Sequence, residues 1–95
     1  KLDKKLIFID IYKSKKELVI KIKDNAGGIL DENINKIFNP YFTTKGKAEG
    51  TGIGLYITEE IIVRHLNGHL TVENKEYIYE NISYIGAEFT IHIPF

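Results

Sequence analysis

The 95 residues contain no cysteine, which excludes disulfides and cysteine-ligated zinc and fits a reducing compartment. They carry no formal net charge either, because thirteen Lys and Arg balance thirteen Asp and Glu. That balance leaves neither the basic footprint of a nucleic-acid binder nor an acidic tail. Lys1, Lys4, Lys5, Lys13, Lys15 and Lys16 do cluster near the start, where they read as a solvated strand edge. No apolar run approaches a membrane span and no signal peptide is visible. Proline occurs only at Pro40 and Pro94, each placed to stop an element. There are no repeats, linkers or low-complexity segments. The chain opens on Lys1-Leu2-Asp3 without Met, and so reads as a piece of something longer. What is present, 43% hydrophobic and 27% charged residues, suits one small globular domain or part of one. A chain of this length buries only about 60–65% of its unfolded surface, so a modest core is expected.

The run Leu6 to Tyr12 is β-branched and aromatic, and predicts a strand with Ile7, Ile9 and Ile11 on one face. After a polar turn over Lys13 to Glu17, Leu18 to Lys23 alternates, with Leu18, Ile20 and Ile22 inward. Residues 1–23 are thus expected to form a hairpin with one buried face. Asp24-Asn25-Ala26-Gly27-Gly28 closes it. These five residues serve as a plain turn, or as a site where the Asp24 carboxylate accepts a ligand amine and the glycines admit a ring. Asp31 is a candidate N-cap for a short helix to Phe38, with Ile34, Ile37 and Phe38 inward and Asn39-Pro40 as its stop. A loop with aromatics at its base and a cation in it follows, from Tyr41 to Glu49. Ile53 to Leu66 then predicts an amphipathic helix of about fourteen residues, ended by Asn67-Gly68. Residues 69–95 read as C-terminal strands: His69 to Asn74, an extension into a hairpin around Glu80-Asn81, and Glu88 to Ile93 with Phe89, Ile91 and Ile93 inward.

The most organised stretch is Gly50-Thr51-Gly52-Ile53-Gly54-Leu55. Its alternating glycines let a ligand reach the backbone, and the helix behind them points free N–H groups and a positive dipole end into that space. The arrangement suits phosphate; the alternative is a surface loop before a helix. A dinucleotide fingerprint needs glycine at the sixth position, where Leu55 or Ile57 stands, and a Walker loop needs a Gly-Lys-Ser/Thr triplet that does not occur.

Taken in order, the motifs are more specific than any one of them. A strand leads to Asp24–Gly28, a short helix to Asn39-Pro40-Tyr41-Phe42-Thr43-Thr44-Lys45, a polar loop to Gly50–Leu55, and a helix to strands ending in Ile93-Pro94. This order resembles the C-terminal catalytic and ATP-binding domain of bacterial sensor histidine kinases, in the superfamily of DNA gyrase B, the mismatch-repair MutL proteins and the heat-shock chaperone ATPases. Residues 24–28 look like the first glycine box, residues 39–52 like the phenylalanine box and ATP lid, and residues 50–55 like the second glycine box. The resemblance covers the chain from about Leu6 to Phe95. It implies an α+β fold: a two-layer α/β sandwich whose mixed, mainly antiparallel sheet has helices on one face.

The resemblance also implies roles. Asp24 would accept a hydrogen bond from the exocyclic amine of adenine, which guanine's carbonyl could not supply. Ala26, Gly27 and Gly28 would line the ring, and Thr43, Thr44 and Lys45 would meet the β- and γ-phosphates. Thr51, Gly52, Ile53, Gly54 and Leu55 would hold the phosphates, with backbone N–H groups from Gly52, Gly54 and Leu55. The ligands implied are ATP and Mg²⁺. The partners implied are a helical dimerisation and histidine-phosphotransfer domain of the same protein and the receiver domain of a response regulator, in a cytoplasmic setting. Nucleic acid is not among them.

Several positions depart from the family pattern. The helix whose asparagine binds Mg²⁺ precedes the first glycine box in the family and has no counterpart here, so neither a metal ligand nor a catalytic residue is assigned. Its absence is expected to leave weak or no nucleotide binding by this fragment alone, and apolar sheet surface that invites self-association. Ala87 stands where members often carry Thr, whose hydroxyl joins the adenine site; Thr90 is the substitute candidate if the strand bulges. His65, His69 and His92 read as structural or surface residues, none of them having metal-ligand spacing with a carboxylate partner. Two alternatives remain: an anti-sigma-type serine kinase of the same superfamily, against which the wording Phe42-Thr43-Thr44-Lys45 argues, and a non-catalytic docking or dimerisation module.

Overall fold

The computed structural model describes residues 4–42 and 54–95. Among the described residues four strands form one sheet: β1 (Ile7–Ser14), β2 (Glu17–Asp24), β3 (His69–Tyr79) and β4 (Ile82–Pro94). Their order is β1-β2-β4-β3, and every neighbouring pair is antiparallel. Two tight turns make the hairpins. Lys15 takes a positive φ of 55° at the first, and Glu80 and Asn81 take 51° and 68° at the second. The pair of left-handed residues at the second is the pattern of a turn that matches strand twist. The hairpin expected around Glu80-Asn81 is therefore present, with β3 eleven residues long.

Register fixes which residues share a face. Ile9 pairs with Ile22 and Ile11 with Ile20; Ile20 pairs in turn with Ile91, and Ile22 with Phe89. Leu70 pairs with Ile91 and Val72 with Phe89. This puts the expected apolar set on one face, since side chains alternate strictly along a strand. Helical segments cover it in part. The Phe38 ring meets Phe89 edge-on at 6.3 Å, and Ile37, Ile62 and Leu70 are buried.

The cover does not reach the β1 edge. Ile7, Ile9 and Ile11 are 70%, 61% and 64% exposed. Leu18, Ile20 and Ile22, expected to be the inward set of β2, are only half-buried, whereas Val19 on the opposite face is 2% exposed. Val19 sits between Tyr12 on β1 and His92 on β4, two wide side chains that shield it from both sides. Complete burial of such a valine contributes about 1.5–2 kcal/mol.

The first helix is shorter, and the second looser, than periodicity predicts. The first, α1 (Asp31–Ile34), has Leu30 rather than Asp31 as its N-cap, with no side-chain bond at that end. Overlapping turns continue it, with Lys36 N–H donating to the Asn33 carbonyl and Asn39 N–H to Lys36. Asn33, Asn35 and Asn39 are weak helix formers, so the α geometry lapses while Ile37 and Phe38 still reach the sheet. The second, α2 (Gly54–Glu60), runs into a π-helical turn over Ile61–His65. Leu66 N–H bonds the Ile61 carbonyl five residues back, where the β-branched run Ile61-Ile62-Val63 crowds an ordinary turn. Ile62 is buried, but Leu55, Ile57, Ile61 and Leu66 of the same apolar pattern are all exposed.

The stop at Asn67-Gly68 divides its work between the two residues. Asn67 takes the left-handed conformation, φ 57°, and Gly68 N–H closes on the Ile62 carbonyl at 2.8 Å, as in a Schellman cap. Gly68 is needed for space, because a Cβ there would overlap the His92 carbonyl oxygen. Gly68→Ala is accordingly expected to lose at least about 2 kcal/mol of stability through this backbone overlap, whereas Asn67→Gly stays within about 0.5 kcal/mol of wild type. Urea unfolding of the two variants checks the contrast.

Candidate nucleotide site

Asp24 is the last residue of β2, paired with Ile7. Its Oδ1 accepts hydrogen bonds from the Ala26 and Ala87 backbone N–H groups, both at 3.1 Å. Its backbone carbonyl accepts the Tyr77 hydroxyl at 2.7 Å. No group among the described residues bonds Oδ2, which remains an acceptor for a ligand donor. This constellation depends on residue 86 being glycine: a Cβ there would collide with the Asp24 carbonyl oxygen and carbon. β4 can therefore lie flat against the end of β2.

The loop beyond Asp24 is held at several points. Asn25 is buried, with Oδ1 accepting from Leu6 N–H at 3.0 Å and Nδ2 donating to the Lys4 carbonyl at 2.8 Å. Gly27 N–H bonds the Ile85 carbonyl at 2.9 Å. Gly27 and Gly28 both take positive φ, 95° and 86°, a conformation that side chains rarely adopt. The space where a Gly27 side chain would stand is open to 4 Å. Open space of this kind beside a held carboxylate fits a flat ring carrying an amine.

Behind the loop, on the opposite face of the sheet, lies an aromatic cluster. Phe8 meets Tyr77 and Tyr79 edge-on at 5.7 and 5.0 Å, and Lys23 Nζ sits 4.1 Å above the Tyr77 ring. Burial of the phenol, with the nearby Asp24 carboxylate and Tyr84 adding to it, pushes the Tyr77 pKa above its ordinary 10.0. The hydroxyl stays neutral and donates to Asp24.

The structure brings Asp24, Ala26, Gly27 and Gly28 together in this one loop. Gly54 and Leu55 open α2 and are exposed. Thr43, Thr44, Lys45, Thr51, Gly52 and Ile53 lie outside the described residues. Thr90 is a correction. The β2–β4 register runs without a bulge from Glu17–Pro94 to Lys23–Glu88, so Thr90, opposite Lys21, points to the face away from Asp24. Ala87 contributes through its backbone N–H instead of a side chain. His92 is a structural residue of that same face, its Nδ1 3.1 Å from Glu17 Oε1 and its ring stacked on His69 at 4.5 Å. Those three residues meet only through strand pairing, which no local pattern reveals. Among the described residues no group of three or more His, Cys, Asp or Glu could hold a metal ion.

Fold and motif order together define an ATPase-type two-layer domain. The sequence matches the histidine kinase-, DNA gyrase B-, and HSP90-like ATPase family over residues 2–95, and the chain belongs to that family. Its relatives are sensor kinases. It is 39% identical over 77 residues to the sensor histidine kinase ZraS of Salmonella typhimurium, covering 81% of this chain and 14% of that protein. It is 34% identical over 92 residues to the sensor protein ChvG of Agrobacterium fabrum, covering 93% of this chain and 15% of that protein. The nucleotide-free catalytic domain of histidine kinase ThkA superposes with a TM-score of 0.73 at 33% identity, over 93% of this chain and 51% of that one.

Tyr77→Phe removes the hydroxyl held by Asp24 and is expected to cost about 1 kcal/mol. Because the folded-state pKa is raised, the hydroxyl's contribution is full below pH 10 and lost as pH climbs through the raised value. Urea unfolding from pH 8 to pH 11 should therefore show wild type and Tyr77→Phe converging at the alkaline end.

Proposed function

We propose that this domain binds ATP through the Asp24 loop and presents the γ-phosphoryl group to a histidine on a separate helical dimerisation domain of the same protein. A response regulator receiver domain would take the phosphoryl group from there, in the cytoplasmic part of a two-component sensor. The observation that carries the reading is the Asp24 carboxylate, fixed through Oδ1 by two backbone N–H groups beside an open pair of positive-φ glycines. Fixing one oxygen leaves the other aimed without rotational freedom, so an amine donor is selected by geometry as well as by charge. A purine with a carbonyl at that position would leave two acceptors facing each other.

This chain's own residues divide the rest of the work by sequence position. Gly27 and Gly28 would admit the ring, Thr43, Thr44 and Lys45 would meet the β- and γ-phosphates, and Gly52, Gly54 and Leu55 would offer backbone N–H groups. Mg²⁺ would accompany the phosphates and offset their charge. The described residues supply no cluster of His, Cys, Asp or Glu to seat it. Phosphoryl transfer then rests on alignment, with the acceptor imidazole nitrogen attacking phosphorus as the bond to ADP breaks. Among the described residues no helix is long and apolar enough to cross a membrane.

One observation favours a second reading, a docking or dimerisation module. The exposed Ile7, Ile9 and Ile11 make a continuous apolar strip along β1, of the kind that marks an association surface.

Calorimetric titration of the full-length protein with a non-hydrolysable ATP analogue and its GTP counterpart separates the two. The expected result is a preference for ATP of at least about 100-fold, lost in Asp24→Asn, which presents an N–H donor or a rotated amide to the adenine amine. A folded protein that binds neither nucleotide, or both alike, would sink the kinase reading in favour of the docking one.

A further inference from the structure

Asn74 lies in the middle of β3, opposite Ala87 of β4. Asparagine is depleted in strands, and this one is exposed, free to face water. Its side chain instead commits both ends to one distant peptide. Oδ1 accepts from Ile29 N–H at 2.8 Å, and Nδ2 donates to the Ile29 carbonyl at 2.7 Å. The carboxamide thus reproduces one step of a strand ladder, made by a side chain across 45 residues of sequence. The peptide it holds follows directly on Gly28. A Cβ on Gly28 would lie 2.9 Å from Asn74 Oδ1, so the clamp and the glycine fit only each other.

The partners on either side show what the clamp adds. The start of the loop is fixed at Asp24 by Ala87 N–H and Tyr77 hydroxyl, and its middle at Gly27 by the Ile85 carbonyl. All of these groups come from the β3–β4 hairpin. Beyond Gly28 no backbone bond ties the loop to the sheet among the described residues. Asn74 is the tie at the exit. Without it the two glycines, which tolerate almost any φ, would be hinged at one end only.

We propose that Asn74 is a positioning residue for the nucleotide: it touches neither ring nor phosphate but sets the width of the opening at Gly27 and Gly28 by holding Ile29 to β3. This rests on the assignment of the Asp24 loop as the adenine site. Its effect falls on binding, since the reacting phosphates are engaged by other parts of the chain.

The test uses the full-length kinase with two variants. Asn74→Ala removes both bonds. Asn74→Asp keeps the shape and the acceptor for Ile29 N–H but offers no donor to the Ile29 carbonyl. The readouts are the Kd for a fluorescent ATP analogue, KM and kcat of autophosphorylation, and the melting temperature without nucleotide. Asn74→Ala is expected to raise Kd and KM together by about ten-fold, since only part of the free energy of the two lost bonds is expressed in binding, with kcat changed by less than about two-fold. Asn74→Asp should fall between it and wild type, and carries the test alone if the alanine variant does not fold. A lowered melting temperature with KM unchanged in the folded variants would overturn the proposal and leave Asn74 a scaffold residue. Wild-type protein that binds no adenine nucleotide would overturn the functional reading first, and this inference with it.

Discussion

The site depends on a close approach between two backbones. The Asp24 carbonyl lies where a side chain on residue 86 would stand, and only glycine permits that. Once the end of β2 lies flat on β4, Ala87 N–H reaches the Asp24 carboxylate, Tyr77 reaches its carbonyl, and Gly27 N–H finds Ile85. Each of these bonds is modest, worth about 1 kcal/mol net, but together they leave the carboxylate no second orientation. A polar group so constrained distinguishes donors from acceptors far better than a mobile one.

The sheet carries two kinds of chemistry on its two faces. One face is apolar and only partly covered, its centre packed by Ile37, Phe38 and Ile62 and its β1 edge open. The other is aromatic and charged, with Lys23 over Tyr77, His92 beside Glu17, and Lys75 4.0 Å from the buried Glu88. Val19 is the one fully shielded aliphatic of β2, and it belongs to this second face. Burial here follows the width of neighbouring side chains as much as hydrophobicity does. A narrow valine between Tyr12 and His92 is covered, whereas an isoleucine on an open edge strand is not.

Much of this was legible from periodicity and turn chemistry. The alternation of Leu18 to Lys23 and of Phe89 to Ile93 gives strands and their shared face, and Glu80-Asn81 marks a tight turn. The motif order led to the family. What could not be read was everything that depends on strand register. Thr90 and Ala87 differ in which face they show, and only the unbulged pairing of β2 with β4 decides it. The same holds for the meeting of Glu17, His69 and His92, and for Tyr77 and Asn74, which reach Asp24 and Ile29 from far along the chain. Asn74 did carry a signal, as a polar, poorly strand-forming residue within a strand pattern. The first helix stops short of Phe38 because asparagines at 33, 35 and 39 favour other turn geometries, and the β-branched run from Ile61 gives the second a π turn before its expected stop, while the apolar spacing still fits a helix.

The uninterrupted pairing of β2 with β4 also bears on how such a chain can vary in length. Asp24 faces its loop only because seven consecutive pairs, Glu17 with Pro94 through Lys23 with Glu88, keep count. One residue added or removed inside β2 would turn Asp24 to the aromatic face and carry every other side chain of the strand with it. The same change at Lys15-Lys16 or Glu80-Asn81, where the chain merely reverses, leaves that count intact. Related chains can therefore drift in length at the two hairpin tips, while the span from Glu17 to Asp24 is confined to exchange of one residue for another.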